Sequence, residues 1–316
     1  MVGRVGDTQV ARVGFLASTA RSGSTLTTRI LGSLPGAFSV GELIWLFNYG
    51  LKHNRPCGCG QPFQQCSFWN EVGDRAYGGW QHVDTVRAID LRRRLTSNRR
   101  YPELLIHPTV RTQQQLDDFT GLLAPLYQAV REVSGARVII DNSKDAAVAM
   151  ILRRVEGVDL SVVQLVRRSH GVAHSAQKHV ARSDMNGKEM RRRSPARTAV
   201  RWTLDNALYE ILGHTGTPST IVRYEDLVAH PRETTRELAK FLGLDPQAVD
   251  TVFRAPQEVD LALEHSVWGN PMRLSSGPVS VRADDEWRKQ LDARSRRTVT
   301  ALSWPALARY GYLRRA

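Results

Sequence analysis

The run Val13-Gly14-Phe15-Leu16-Ala17 is apolar on both faces of an extended strand, and it passes through a short hydroxylated loop directly into a helical pattern. A strand without a polar face is buried on both sides, as in a parallel sheet covered by helices. Three further runs have this character: Arg137-Val138-Ile139-Ile140, Val162-Val163-Gln164-Leu165-Val166 and Thr220-Ile221-Val222-Arg223-Tyr224. Phe38-Ser39-Val40 is a shorter fifth. Helical patterns lie between them. Leu26, Ile30, Leu31 and Leu34 recur until Pro35-Gly36 stops the run, and Phe119, Leu122, Leu123, Leu126, Tyr127 and Val130 form an amphipathic stripe. Ala199, Trp202, Asn206 and Tyr209 form another, and Leu238, Phe241 and Leu242 end at Gly243, a C-cap with Pro246 beyond. This alternation predicts an α/β fold, a parallel sheet with helices on both faces. Residues 44–115 are poor in strands and rich in Cys, Gly, His and Arg. They read as a largely helical insertion, a lid or acceptor-side element, within one domain spanning 1–316.

Composition narrows the function classes. With 41% hydrophobic and 24% charged residues the chain has ample material for a core, so disorder is excluded. Its mean hydropathy is −0.34 and no stretch approaches the about 20 apolar residues of a membrane span. Met1 to Arg12 lacks the apolar core of a signal peptide, and three cysteines are too few and too odd for a secreted disulfide scaffold. The expectation is a soluble cytoplasmic protein. A net charge of +13 invites a polyanionic partner. The excess lies in runs such as Arg92-Arg93-Arg94, Arg99-Arg100 and Arg191-Arg192-Arg193, whose ordinary reading is a solvated surface. Aromatics do not interleave with these runs, which argues against single-strand binding.

The first loop carries the chemistry. Ser18-Thr19-Ala20-Arg21-Ser22-Gly23-Ser24-Thr25-Leu26 joins a strand to a helix through small residues around one Gly. Free backbone N–H groups at a helix start converge on one spot, and the helix dipole favours an anion there. Gly23 permits close backbone approach, Ser22, Ser24 and Thr25 add hydroxyl donors, and Arg21 adds a charge able to grip phosphate in two places. The loop departs from the nucleotidase pattern G-x-x-x-x-G-K-[ST], having no Lys and a single Gly. Apart from Asp141, no Asp at the end of an apolar strand is placed to hold magnesium, so ATP or GTP hydrolysis is disfavoured.

Arg21-Ser22-Gly23-Ser24-Thr25 resembles the 5′-phosphosulfate loop of sulfotransferases that use 3′-phosphoadenosine 5′-phosphosulfate (PAPS), in the form found in bacterial and tyrosylprotein members. A second motif agrees. The family's 3′-phosphate site is an Arg ending a strand with a Ser eight residues on, and Arg167 and Ser175 match that spacing. Val222-Arg223-Tyr224-Glu225-Asp226-Leu227 resembles the motif whose Tyr lies beside the adenine. His265 to Arg273, with Gly269-Asn270-Pro271-Met272-Arg273, resembles a loop of bacterial members near the nucleotide, and Trp287 to Tyr312 resembles their closing helix. The resemblance spans nearly the whole chain. It implies a P-loop-NTPase-like sheet, PAPS as co-substrate released as 3′,5′-bisphosphoadenosine, no required metal, and a small-molecule or lipid acceptor bearing a hydroxyl. Nucleic acid is not an expected partner. The animal cytosolic members differ, with Lys in place of Arg21 and a His base after a later strand that has no counterpart here.

Two catalytic residues follow. Lys144 ends Asp141-Asn142-Ser143-Lys144 directly after a strand, and the resemblance to tyrosylprotein members implies that it stabilises the transferring group. Glu42 follows Phe38-Ser39-Val40-Gly41, on the same carboxyl edge as the donor, and is the expected base, with His107 and His265 in reserve. His53, Cys57, Cys59 and Cys66 form H-x3-C-x-C-x6-C, which admits zinc, a packed turn beside Phe68-Trp69, or a local disulfide; no metal is assigned on it. The rival readings are a small-molecule kinase with an atypical loop, marked by magnesium-dependent ATP turnover, and an Arg-rich nucleic-acid binder, marked by salt-dependent DNA affinity.

Overall fold

Val13, Phe15 and Ala17 point to one face of their strand and Gly14 and Leu16 to the other, and all are shielded from water. A computed structural model describes residues 10–185, 187 and 189–313; the first nine residues of the Met1–Arg12 stretch lie outside the described residues. The doubly buried strand is β1 (Ala11–Ala17), at the centre of a sheet with β2 (Ala37–Gly41), β3 (Val138–Asp141), β4 (Val158–Val166) and β5 (Ser219–Arg223). All pairings are parallel, in the order β2-β3-β1-β4-β5. The outermost strand departs from expectation: β5 is a partly exposed edge, with Ile221 45% accessible. One neighbour on the sheet, rather than two, leaves it open.

The helices, in chain order, are α1 (Ser24–Gly32), α2 (Ser67–Tyr77), α3 (Thr85–Leu95), α4 (Tyr101–Leu105), α5 (Val110–Ser134) and α6 (Ala146–Leu152). The second half adds α7 (Ser169–Ser175), α8 (Pro195–Gly213), α9 (Tyr224–Ala229), α10 (Pro231–Phe241), α11 (Trp287–Gln290) and α12 (Ala293–Arg309). Ile30 and Leu31 of α1, Val228 of α9 and Leu238 of α10 join Leu16, Ile140 and Leu165 on one face of the sheet. Leu126 and Val130 of α5, α6, and Tyr209 and Leu212 of α8 join Val13, Phe15 and Ile139 on the other. The layers are those of a P-loop-like α/β fold.

A small antiparallel sheet, β6 (Phe253–Ala255), β7 (Glu258–Leu261) and β8 (Gly277–Ser280), follows α10 and has no precedent in the sequence patterns above. The insertion after β2 is largely helical, and it packs inward: α2 and α3 lie along α5. Phe47, Phe63 and Trp69 of the insertion are buried in the core. Among the described residues no helix is long and apolar enough to cross a membrane.

Candidate active site

Parallel strands aim all their carboxyl ends one way, so the loops that leave them meet. They meet around a cavity of about 600 Å³. Glu42 enters it from β2, Ser143 and Lys144 from β3, the loop from Ser18 to Leu26 from β1, Arg167 and Ser175 from β4 and α7, and Tyr224 from β5. Gly269 and Asn270 close one side. Six cationic side chains line it (Arg21, Lys144, Arg167, Arg182, Arg193, Arg201) against three carboxylates, Glu42, Asp145 and Asp205. The site is built for negative charge.

The β1–α1 loop is strained where it matters. Gly23 has φ 89°, and a Cβ there would stand 2.6 Å from the Tyr224 ring, so only glycine fits. Arg21 also sits in the left-handed region, at φ 74°, a conformation that costs a non-glycine residue energy. Its Nε donates to Ser175 Oγ at 3.0 Å. Arg167 donates to the Arg21 carbonyl at 3.1 Å and to the Asp284 carbonyl at 2.9 Å, with the Asp284 carboxylate at 3.1 Å and the Tyr224 ring 4.6 Å beneath it. Burial, then the Arg167 charge, hold the Arg21 pKa below its ordinary value, with Asp284 opposing them. Two guanidinium groups are crowded with too little counter-charge, which an anion would supply. The buried hydroxyls of Ser18, Thr19 and Ser22 have no partner, unusual for groups that cost about 1–3 kcal/mol when left unbonded. Ser22 itself lies just behind the cavity lining.

Lys144 Nζ is ion-paired with Glu42 Oε1, both side chains mostly shielded. Lys144 is held at φ 61°. Tyr209 OH donates to its carbonyl, and Asp141 fixes the turn before it, accepting from the Ser143 amide at 2.7 Å and hydroxyl at 2.5 Å. Tyr127 OH donates to the other Asp141 oxygen at 2.5 Å. Asp141 is wholly buried, and burial raises its carboxyl to about 6 against those hydrogen bonds. It shapes the Lys144 turn and is not positioned as a metal ligand in the cavity.

Not every expected residue reaches the cavity. Arg273 is buried behind the wall, donating to the Ser266 carbonyl at 3.1 Å, the Pro56 carbonyl at 2.8 Å and Asp184 at 3.2 Å. It braces the Gly269-Asn270 loop because Asp184 and two carbonyls already occupy its guanidinium. His107 is exposed, and His265 sits among the cysteines, so neither reserve base lines the cavity. Arg182, Asp205 and Asp284 were missed. Arg182 pairs with Asp184 at 2.7 Å, donates to the Gly269 carbonyl and stacks on Trp268 at 4.0 Å. Asp205 pairs with Arg201 at 2.7 Å, and burial raises it to about 6, Arg201 opposing. Arg193 carried a signal within Arg191-Arg192-Arg193, read as solvated surface; it lines the cavity while remaining exposed.

The fold and the cation-lined strand ends define a P-loop-like α/β protein with a cavity suited to an anionic ligand. The family model described as the sulfotransferase family matches residues 15–248, so the chain belongs to the sulfotransferase family. Among solved structures, the sulfotransferase domain from the Synechococcus PCC 7002 olefin synthase is 20% identical and covers 96% of this chain and 97% of its own, with a TM-score of 0.51. The sulfotransferase domain from the curacin biosynthetic pathway is also 20% identical, covering 93% of this chain and 98% of its own at a TM-score of 0.46. Comparison with curated proteins finds no match.

Proposed function

We propose that the protein moves the sulfuryl group from PAPS to a hydroxyl of a small-molecule or lipid acceptor. The supporting observation is that Arg167 donates to the Arg21 carbonyl and Arg21 to Ser175, beside a helix start with unpartnered hydroxyls. Two anion positions on adjacent strand ends suit a nucleotide carrying both a 5′-phosphosulfate and a 3′-phosphate. Arg21, Ser22, Gly23, Ser24, Thr25 and Leu26 would hold the 5′ end, Arg167 and Ser175 the 3′-phosphate, and Tyr224 the adenine. Gly269 and Asn270 complete the pocket, while Arg273 acts through them.

In the reaction the acceptor oxygen forms a bond to sulfur as the bond from sulfur to the bridging phosphate oxygen breaks. Glu42 takes the acceptor proton. Lys144 stabilises charge building on the bridging oxygen, which leaves on 3′,5′-bisphosphoadenosine. Trp45 and Trp268 line the cavity near Glu42 and give the acceptor apolar walls. The test is a thermal-shift comparison. Bisphosphoadenosine should raise the melting temperature, because a ligand of the folded state alone stabilises it by mass action. AMP should do so much less, and Arg167→Ala should abolish the difference. Equal shifts with both nucleotides in the unaltered protein would sink the assignment of Arg167 and Ser175.

A further inference from the structure

The three cysteines and a histidine far from them in sequence form a cluster that the transfer chemistry does not use. Cys57, Cys59, Cys66 and His265 each offer one ligand atom, and these atoms all lie within 4.8 Å of one another. Cys57 and Cys66 sulfurs are 3.7 Å apart, and Cys59 and Cys66 sulfurs 3.8 Å. His265 Nδ1 lies 3.7 Å from Cys57 Sγ and 3.2 Å from Cys66 Sγ. A tetrahedral zinc with sulfurs about 2.3 Å away sets neighbouring sulfurs about 3.8 Å apart, whereas a disulfide sets them about 2 Å apart. The observed spacing is that of metal ligands, and all three thiols are free. We propose that Cys57, Cys59, Cys66 and His265 Nδ1 bind one zinc ion in a closed structural site.

The surroundings are shaped for this. In Cys57-Gly58-Cys59-Gly60 the Gly60 amide donates to the Cys57 carbonyl at 2.9 Å, making the tight turn that brings two thiols to one side. A Cβ on Gly58 would stand 2.4 Å from the Glu264 carbonyl, so glycine alone lets this turn reach the segment carrying His265. Cys66 is the N-cap of α2, where the helix dipole favours a thiolate. The His265 ring stacks on Phe68 at 4.8 Å, and Trp69 Nε1 donates to its carbonyl at 2.8 Å, fixing the imidazole as outer contacts fix metal-bound histidines. His53, the nearer histidine in sequence, is exposed and outside the cluster. The ion would clip the insertion to the segment that leads three residues on to Trp268, and so would hold one cavity wall in place.

The experiment uses the full chain, purified under reducing conditions without chelator. Elemental analysis should find about one zinc per chain, as a four-ligand structural site requires. Cobalt(II) in its place should give thiolate-to-metal charge-transfer absorption and the visible bands of a tetrahedral ion. Cys66→Ser and His265→Ala should each lose these bands, while His53→Ala should retain them. Should both variants fail to fold, the unaltered chain still decides. Reduced protein that binds neither zinc nor cobalt overturns the proposal. So do two cysteines that resist alkylation under denaturing, chelating conditions at lysis, which would reveal a disulfide, and loss of cobalt bands in His53→Ala equal to that in His265→Ala.

Discussion

Glu42 and Lys144 stand 102 positions apart in the chain and share one ion pair at the cavity. If one removes the acceptor proton and the other steadies the leaving oxygen, they act on a single transition state and their losses do not add. Glu42→Gln should lower turnover about 100-fold, the usual contribution of a positioned base. Lys144→Ala should also lower it, and the double variant should be little worse than the poorer single one. Bisphosphoadenosine affinity should stay within a few-fold in all three. Fully additive losses in this kinetic cycle would mean that the residues serve separate steps. Arg21, Glu42, Lys144 and Arg167 were legible because each lies within a few residues of an apolar strand, whose end fixes where they point. Arg182 and Asp205 were not, because neither ends an apolar strand: each pairs with a near neighbour, Asp184 or Arg201, and only the packing of distant segments brings it to the cavity. His265 shows the same limit in reverse: nearness in sequence favoured His53, whereas the chain returned 199 residues later to complete the cluster.

At the level of elements, α1 is tied to the C-terminal segment through a buried arginine. Arg29 donates to the carbonyls of Met272 and Ala262, both at 2.8 Å, with Glu264 at 3.9 Å. Burial raises the Glu264 carboxyl from its ordinary 4.5 to about 7, Arg29 pulling the other way. Between those values the folded chain holds a proton that the unfolded chain has released. Stability from this group is therefore full below pH 4.5 and declines as pH rises through about 7, by about 3 kcal/mol. Glu264→Gln cannot ionise, so its urea midpoint should fall less between about pH 5 and pH 8 than that of the unaltered protein. Asp141 and Asp205, both raised to about 6, leave a residual slope. An unchanged slope in Glu264→Gln would show that Glu264 is ionised across the range. Sequence patterns located β1 to β4 because burial on two faces demands unbroken apolar runs. They overread β5, an edge strand that uses similar residues on one protected face. They passed over β6 to β8, whose three or four residues are too short for a period to register.

Across the whole molecule, much of the +13 charge is locally committed. Arg93 and Arg94 bridge Asp90, and Arg92 lies over Trp45 at 4.0 Å, so this run is partly structural. The positive lining of the cavity is drawn instead from three strand ends, with Arg21, Lys144 and Arg167, and from Arg182, Arg193 and Arg201 beyond α7, which no short window of sequence brings together. Bisphosphoadenosine should accordingly slow amide hydrogen exchange in residues 18–25, 167–175 and 224–225 together, leaving β6 to β8 and α3 unchanged. Protection confined to α3 and its arginines would instead indicate a surface polyanion site. Spatial order along the sheet runs Glu42, Lys144, Arg21, Arg167, Tyr224, whereas chain order begins with Arg21. The half built on β1, β4 and β5 faces the proposed nucleotide, and the half built on β2 and β3 carries the Glu42–Lys144 ion pair and gives rise to the long insertion. On the proposed reading, the insertion can be remodelled for a new acceptor without disturbing the nucleotide half, because the two grow from opposite margins of one sheet.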